Sequence, residues 1–261
     1  MLLKKIHQKS FGTALKVLKK YLLTPLIYIE TSFEIFSTPL ELAGGIAVEF
    51  KKTCEEVILV NGKINVALSG GSTPEKMFTL LAAEYKNKID WSKVYFYWVD
   101  ERCVPRGNEQ SNFEMTDRIL LKNIPVPEEN VHRIIGEDDP EEEARRYSGL
   151  LKKNIPLKNN FPEFNLILLG TGEDGHTASI FPNQMELLNS EKLCALSIHP
   201  ESNQKRITLT GKVINNAERI CFLATGKGKA EVIGNILNKK KEYLKYPAAH
   251  ILPRNGVLKC Y

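Results

Sequence analysis

Four apolar runs, Ile64 to Leu68, Val94 to Val99, Phe164 to Leu169 and Ile220 to Ala224, each pass directly into a loop rich in glycine or charge. A strand covered on both faces reads as a near-continuous apolar run of this length. Helix-compatible stretches separate the runs: Pro39 to Glu56, Pro74 to Tyr85, Asn112 to Leu121, Pro140 to Lys152 and Lys229 to Leu237. Parallel strands need crossovers of that kind. The alternation predicts an α/β fold, an open and mostly parallel sheet flanked by helices in a single domain. Shorter strands are expected at Ile207 to Leu209 and Ala248 to Leu252.

In such a sheet the loops after the strands converge on one edge, where open α/β folds bind their ligands. The loops here are Ser69-Gly70-Gly71-Ser72-Thr73-Pro74, Asp100-Glu101-Arg102, Gly170 to His176, and Thr225-Gly226-Lys227-Gly228-Lys229. One composite site is implied. Its chemistry centres on His176, an imidazole able to exchange a proton near neutral pH, set with Asp174 in a turn built on Gly170, Gly172 and Gly175. Those glycines also fit a dinucleotide fingerprint, but Glu173 and Asp174 would put carboxylates where a pyrophosphate must sit, and Pro182 comes too soon for the required helix. Taken alone, the segment also reads as a strand-ending turn that holds a histidine.

The other loops carry two readings each. Gly71, Ser72 and Thr73 offer backbone N–H groups and hydroxyls suited to an anion, or form an ordinary strand-to-helix turn opened by Pro74. Asp100, Glu101 and Arg102 form either a structural ion-pair cluster or a place where Arg102 steadies negative charge. Arg206 and Lys229 complement a phosphate or are solvated surface charges. His7, His132, His199 and His250 lack comparable loops and are expected to be structural or solvent-facing. His176 has no partner His or Cys at ligand spacing, so no metal site is expected. No G-x-S-x-G elbow occurs, which leaves a water activated by His176 as the simplest nucleophile.

Composition narrows the partners. The net charge of +5 is carried by six lysines within the first 29 residues, which contain no acid, and the remainder holds 30 basic against 31 acidic residues. A nearly neutral body argues against nucleic acid, and no apolar run reaches membrane-spanning length. Residues 1–26 form a basic, amphipathic extension with Phe11, Ala14, Leu15, Leu18 and Leu22 at helical spacing. They are read as a docked helix or a partly ordered arm, or else as a localisation or interaction segment, with no stable membrane association expected. Five scattered cysteines without a C-x-x-C pair fit reduced thiols and a cytoplasmic location.

Four ordered motifs, Ser-Gly-Gly-Ser-Thr-Pro at 69–74, Val-Asp-Glu-Arg-Cys-Val-Pro at 99–105 followed by Ser111-Asn112, Gly-Thr-Gly-Glu-Asp-Gly-His-Thr-Ala-Ser-Ile-Phe-Pro at 170–182, and Arg-Ile-Thr-Leu-Thr at 206–210, resemble the 6-phosphogluconolactonase family. The resemblance covers residues 27–261. It implies a Rossmann-like sheet shared with glucosamine-6-phosphate deaminases and isomerases, hydrolysis of 6-phospho-D-glucono-1,5-lactone in the pentose phosphate pathway, and no metal or organic cofactor. It further implies that His176 is the catalytic histidine, Asp174 its neighbouring acid and Arg102 an active-site arginine. Gly71, Ser72, Thr73, Arg206 and Lys229 match its phosphate-binding positions. The related deaminases carry a glutamate five residues after the histidine, where this chain has Phe181. A sugar-phosphate sensor would need a DNA-binding domain that the short N-terminal extension cannot supply.

Overall fold

A computed structural model describes residues 29–253 and 256–261. The strands are β1 (Ile29–Phe33), β2 (Ile64–Leu68), β3 (Val94–Trp98), β4 (Asp100–Arg102), β5 (Val131–His132), β6 (Leu157–Lys158), β7 (Phe161–Pro162), β8 (Leu166–Gly170), β9 (Cys194–Ile198), β10 (Lys205–Leu209), β11 (Arg219–Leu223) and β12 (Gly256–Cys260). The α-helices are α1 (Pro39–Asn61), α2 (Ser72–Glu84), α3 (Asn112–Ile119), α4 (Pro140–Asn154), the single turn α5 (Gly211–Ile214) and α6 (Lys227–Leu237).

Seven strands form one sheet in the order β1-β12-β11-β8-β2-β3-β5, and every pairing in it is parallel. β8 is central. The chain builds outward from β2 to β3 and β5, then returns to β8 and builds the other way, so the reversal lies between β2 and β8. Loops leaving the two sides of such a switch point open a crevice at the carboxyl ends of the strands. All five residues of β2 are buried, as are the first four of β8, which accounts for their apolar sequences.

Local signals set the helix ends. Thr38 caps α1 by accepting from the Glu41 N–H at 3.1 Å, Pro39 starts the first turn, and Gly62 ends it at φ 75°. One stripe of α1, including Leu42, Ile46, Phe50, Cys54 and Val57, is buried. Asp139 caps α4 in the same way, accepting from the N–H groups of Glu141 and Glu142.

The Asp100 to Arg102 segment is a strand rather than a loop. Beyond Trp98 the chain leaves the large sheet, and β4 joins β10 and β9 in a three-stranded antiparallel sheet, with Arg102 opposite Arg206 and Asp100 opposite Thr208. A second correction concerns Ala248 to Leu252. Pro247–His250 is a 3-10 turn, because the Ala248 N–H is taken by the Gly175 carbonyl and the Ile251 N–H by the Ala248 carbonyl, leaving no ladder to join. The expectation for residues 1–26 lies outside the described residues.

Candidate active site

The turn after central strand β8 holds the histidine through its own backbone. Gly172 N–H donates to the His176 carbonyl at 2.9 Å, Gly175 N–H to the Gly172 carbonyl at 3.1 Å, and the Thr177 hydroxyl to the Gly170 carbonyl at 2.9 Å. Gly172 is obligatory by contact, since a Cβ there would collide with both the His176 ring and the Asp174 carboxylate. Gly175 is obligatory twice, by its φ of 80° and by the ring of Tyr246 packed against it. Tyr246 is fixed in turn by a 3.1 Å hydrogen bond from Asn235 on α6.

Asp174 Oδ1 lies 2.6 Å from His176 Nδ1 and also accepts the His176 backbone N–H at 3.1 Å. Partial burial pushes the Asp174 carboxyl up, but the hydrogen bonds and charge of His176 outweigh it and hold the acid below its ordinary value. An ionised carboxylate only accepts, so Nδ1 carries the proton and Nε2 is left as the basic atom. The ring rests against Phe181, which is fully buried, with centroids 4.9 Å apart.

Beside this dyad lies a concentration of positive charge. Arg102 and Arg206 face each other across the β4–β10 ladder, and the Arg206 guanidinium sits 5.6 Å from the Phe181 centroid. Among the described residues, arginine ion pairs form at Arg133, Arg145, Arg146 and Arg219, so neither Arg102 nor Arg206 has a carboxylate partner. Both Nε atoms are buried without a hydrogen-bond partner. Burial and the neighbouring Arg102 charge push Arg206 below its usual value. Two adjacent unpaired guanidinium groups favour a bound anion.

The acids of the same strand serve the scaffold. Asp100 accepts from the Ser179 hydroxyl at 2.7 Å, tying β4 to the segment that follows His176. Glu101, 2% exposed, accepts from the backbone N–H groups of Arg102, Asn112 and Phe113 and from the Ser111 hydroxyl, capping α3. Burial raises its carboxyl despite those four bonds. Hydrogen bonds, and no ion pair, therefore account for the charged run. Asn112 also packs against Gly70, where a Cβ would strike its carboxamide, and so joins α3 to the loop after β2.

Two helix N-termini complete the site. α2 starts after Gly71 at φ 108° and α6 after Gly226 at φ 96°, and neither has a side-chain cap. Thr73 and Thr225 share a 2.7 Å hydrogen bond that holds the two loops together. Uncapped N–H groups at the positive ends of helices attract phosphate. Lys229, in the first turns of α6, is half-buried, and burial lowers its ammonium while Glu173 partly offsets the effect.

The structure thus groups Asp174 with His176, Arg102 with Arg206, and the loop of Gly71, Ser72 and Thr73 with the loop that leads to Lys229. His199 is partly exposed, and its Nδ1 accepts the backbone N–H groups of Glu201 and Ser202, a structural place of the kind expected from the sequence. That ring packs edge-on to Phe181 at 5.1 Å and 75°, on the rim of the site.

The profile of the glucosamine-6-phosphate isomerases/6-phosphogluconolactonase family matches residues 37–260. A 6-phosphogluconolactonase of Haemophilus influenzae is 41% identical over 80% of this chain and 90% of its own length. One from Treponema pallidum is 43% identical over 73% of this chain and 79% of its own. The solved structure of a DevB protein superposes with a TM-score of 0.83 at 39% identity, covering 90% of this chain and 96% of that one. With a profile match across nearly all of the described fold and relatives above 40% identity, this chain belongs to the glucosamine-6-phosphate isomerase/6-phosphogluconolactonase family.

Proposed function

We propose that the chain hydrolyses 6-phospho-D-glucono-1,5-lactone to 6-phospho-D-gluconate, the lactone-opening step of the pentose phosphate pathway, with water activated by His176. The observation that carries this reading is the oriented Asp174–His176 pair, 2.6 Å apart, beside two arginines without carboxylate partners and two uncapped helix N-termini. A base next to a phosphate cradle suits a neutral ester ring joined to a dianion.

The phosphate binds at the Gly71, Ser72 and Thr73 loop with Arg206 and Lys229, which places C1 by binding energy remote from the reaction. His176 Nε2 removes a proton from water as the water oxygen attacks C1. Asp174 steadies the resulting imidazolium, and Arg102 faces the developing oxyanion. On collapse the bond from C1 to the ring oxygen breaks, and His176 returns its proton to that oxygen. Base catalysis of this kind contributes about 10²–10⁴-fold, and one oxyanion donor about 10²–10³-fold.

Deamination of an amino-sugar phosphate is disfavoured, because fully buried Phe181 stands where a relay carboxylate would be needed for staged proton transfers. The same reading assigns catalysis to residues 27–261, leaves residues 1–26 outside the site, and places the protein in the cytoplasm. Five free cysteines support that location. Among the described residues no helix is long and apolar enough to cross a membrane.

One preparation assayed on three compounds tests the function. Rapid opening of 6-phosphogluconolactone above its spontaneous rate, slow opening of gluconolactone, and no ammonia from glucosamine 6-phosphate are expected. Ammonia release at a rate comparable to lactone opening would overturn the assignment.

A further inference from the structure

Phe181 is surrounded by three polar groups of the site. His176 lies on one side at 4.9 Å, the Arg206 guanidinium at 5.6 Å, and His199 edge-on at 5.1 Å. The first two have roles in the reading above. His199 stands at the start of the hairpin joining β9 to β10, the strand that carries Arg206.

The geometry of that hairpin fixes the protonation of the ring. His199 Nδ1 accepts the backbone N–H groups of Glu201 and Ser202 at 3.3 and 3.2 Å, while the His199 N–H donates to the Gln204 carbonyl at 3.0 Å. With Nδ1 committed as an acceptor, a neutral ring carries its proton on Nε2, at the opposite edge. Burial, together with the charges of Arg206 and His176, lowers the imidazole below its usual value, so the ring is neutral at physiological pH. A neutral imidazole beside a guanidinium that lacks a carboxylate is a ready donor to an anion. The hairpin is also held over the site, because Gln204 donates to the Gln110 side chain at 2.6 Å and Arg102 donates to the Gln110 carbonyl.

We propose that His199 is a substrate-binding residue whose Nε2–H donates to a phosphate oxygen of the bound sugar phosphate, alongside Arg206. The inference rests on the sugar-phosphate reading of the site and adds a phosphate contact outside the recognised motifs. A hydrogen bond to a charged group at this position acts on binding more than on turnover, so it appears in KM.

Three variants separate this role from the two structural ones. His199→Asn keeps a side-chain oxygen able to accept the Glu201 N–H and so retains the hairpin cap. His199→Phe keeps a ring against Phe181 but loses the cap, and His199→Ala loses both. Each is assayed for Tm and for steady-state kinetics on 6-phosphogluconolactone and unphosphorylated gluconolactone. All three should raise KM for the phosphorylated lactone by about tenfold or more, the range of a charge-assisted hydrogen bond, with kcat within about threefold of wild type. His199→Asn should keep the wild-type Tm, and kcat/KM on gluconolactone should be unchanged in it. A wild-type KM in His199→Asn would reduce the residue to a hairpin cap, and a wild-type KM in His199→Phe would reduce it to a packing ring. Equal losses on both lactones would move the contact off the phosphate. Each of these outcomes overturns the proposal while wild-type turnover upholds the lactonase reading. Absence of wild-type turnover on the phosphorylated lactone would remove both.

Discussion

Replacing Asp174 by Asn isolates the charge of the dyad from its geometry. An asparagine oxygen can still accept the His176 backbone N–H, now bonded at 3.1 Å, so the turn should keep its shape. What changes is the 2.6 Å contact with Nδ1, from a charge-assisted bond to a neutral one. Hydrogen bonds to charged groups contribute about 1.5–3 kcal/mol and neutral ones about 0.5–1.5 kcal/mol. The difference of about 1–2 kcal/mol converts to about 5- to 30-fold in rate. Because the Asp174 side chain is 42% exposed, solvent screening favours the lower half of that range. The contact strengthens as the imidazolium forms, so the loss should fall on kcat, with KM within about twofold. The assay is initial-rate lactone opening at saturating substrate, followed by proton release in a pH-stat with the spontaneous rate subtracted. An unchanged kcat at every pH would refute the orienting role of the carboxylate. Stability supplies a second readout. A carboxyl whose folded value is depressed contributes stability that is present above the unfolded value, ~3.9, and lost as pH falls through the lower folded value. The Tm advantage of wild type over the Asn variant should therefore exist at neutral pH and vanish in acid.

Arg206→Met should raise KM for the phosphorylated lactone by about 10- to 100-fold through loss of charge-assisted bonds, and leave gluconolactone opening unchanged. A wild-type KM would remove Arg206 from the phosphate site. Deletion of residues 1–25 should preserve kcat/KM, and a large loss without a fall in Tm would show that the arm completes the site. Phe181→Glu should reduce lactone opening by about 100-fold, because a carboxylate at this buried position would pair with Arg206 and His176 and displace both from their tasks. No ammonia should appear from glucosamine 6-phosphate with that variant, and its release would show that one residue separates the two chemistries.

The central sheet was legible because burial writes itself into sequence. β2, β3, β8 and β11 are apolar at nearly every position, and their flanking loops are rich in glycine or charge. The two outermost strands on one side of the sheet were not. β1 reads Ile-Glu-Thr-Ser-Phe and β12 reads Gly-Val-Leu-Lys-Cys, patterns that also suit loops, and they become strands by pairing with each other and with β11. Lys227–Leu237 begins two residues before the expected helix because Gly226, at φ 96°, provides the start with no side-chain cap to signal it. The contact on which the proposal for His199 rests is equally invisible in sequence, because Phe181 lies eighteen residues earlier in the chain and nothing adjacent to His199 carries chemistry.

The charged run Asp100-Glu101-Arg102 shows how the small antiparallel sheet adds function to the parallel one. A strand alternates its side chains, so Glu101 turns to cap α3 while Asp100 and Arg102 share the other face. On that face Asp100 receives the Ser179 hydroxyl from the segment that follows His176, and Arg102 meets Arg206 across the ladder. Strand alternation thus places a structural acid and an arginine without a carboxylate partner on one face, with no ion pair between them. Had the segment been a loop, nothing in its backbone would have kept the two arginines opposite each other against their mutual repulsion. The ladder supplies that constraint, and in the proposed reaction the substrate supplies the missing negative charge, its phosphate at Arg206 and its oxyanion at Arg102. Positive charge confined by backbone pairing binds an anion more strongly than the same side chains free to move apart, because their ordering precedes binding.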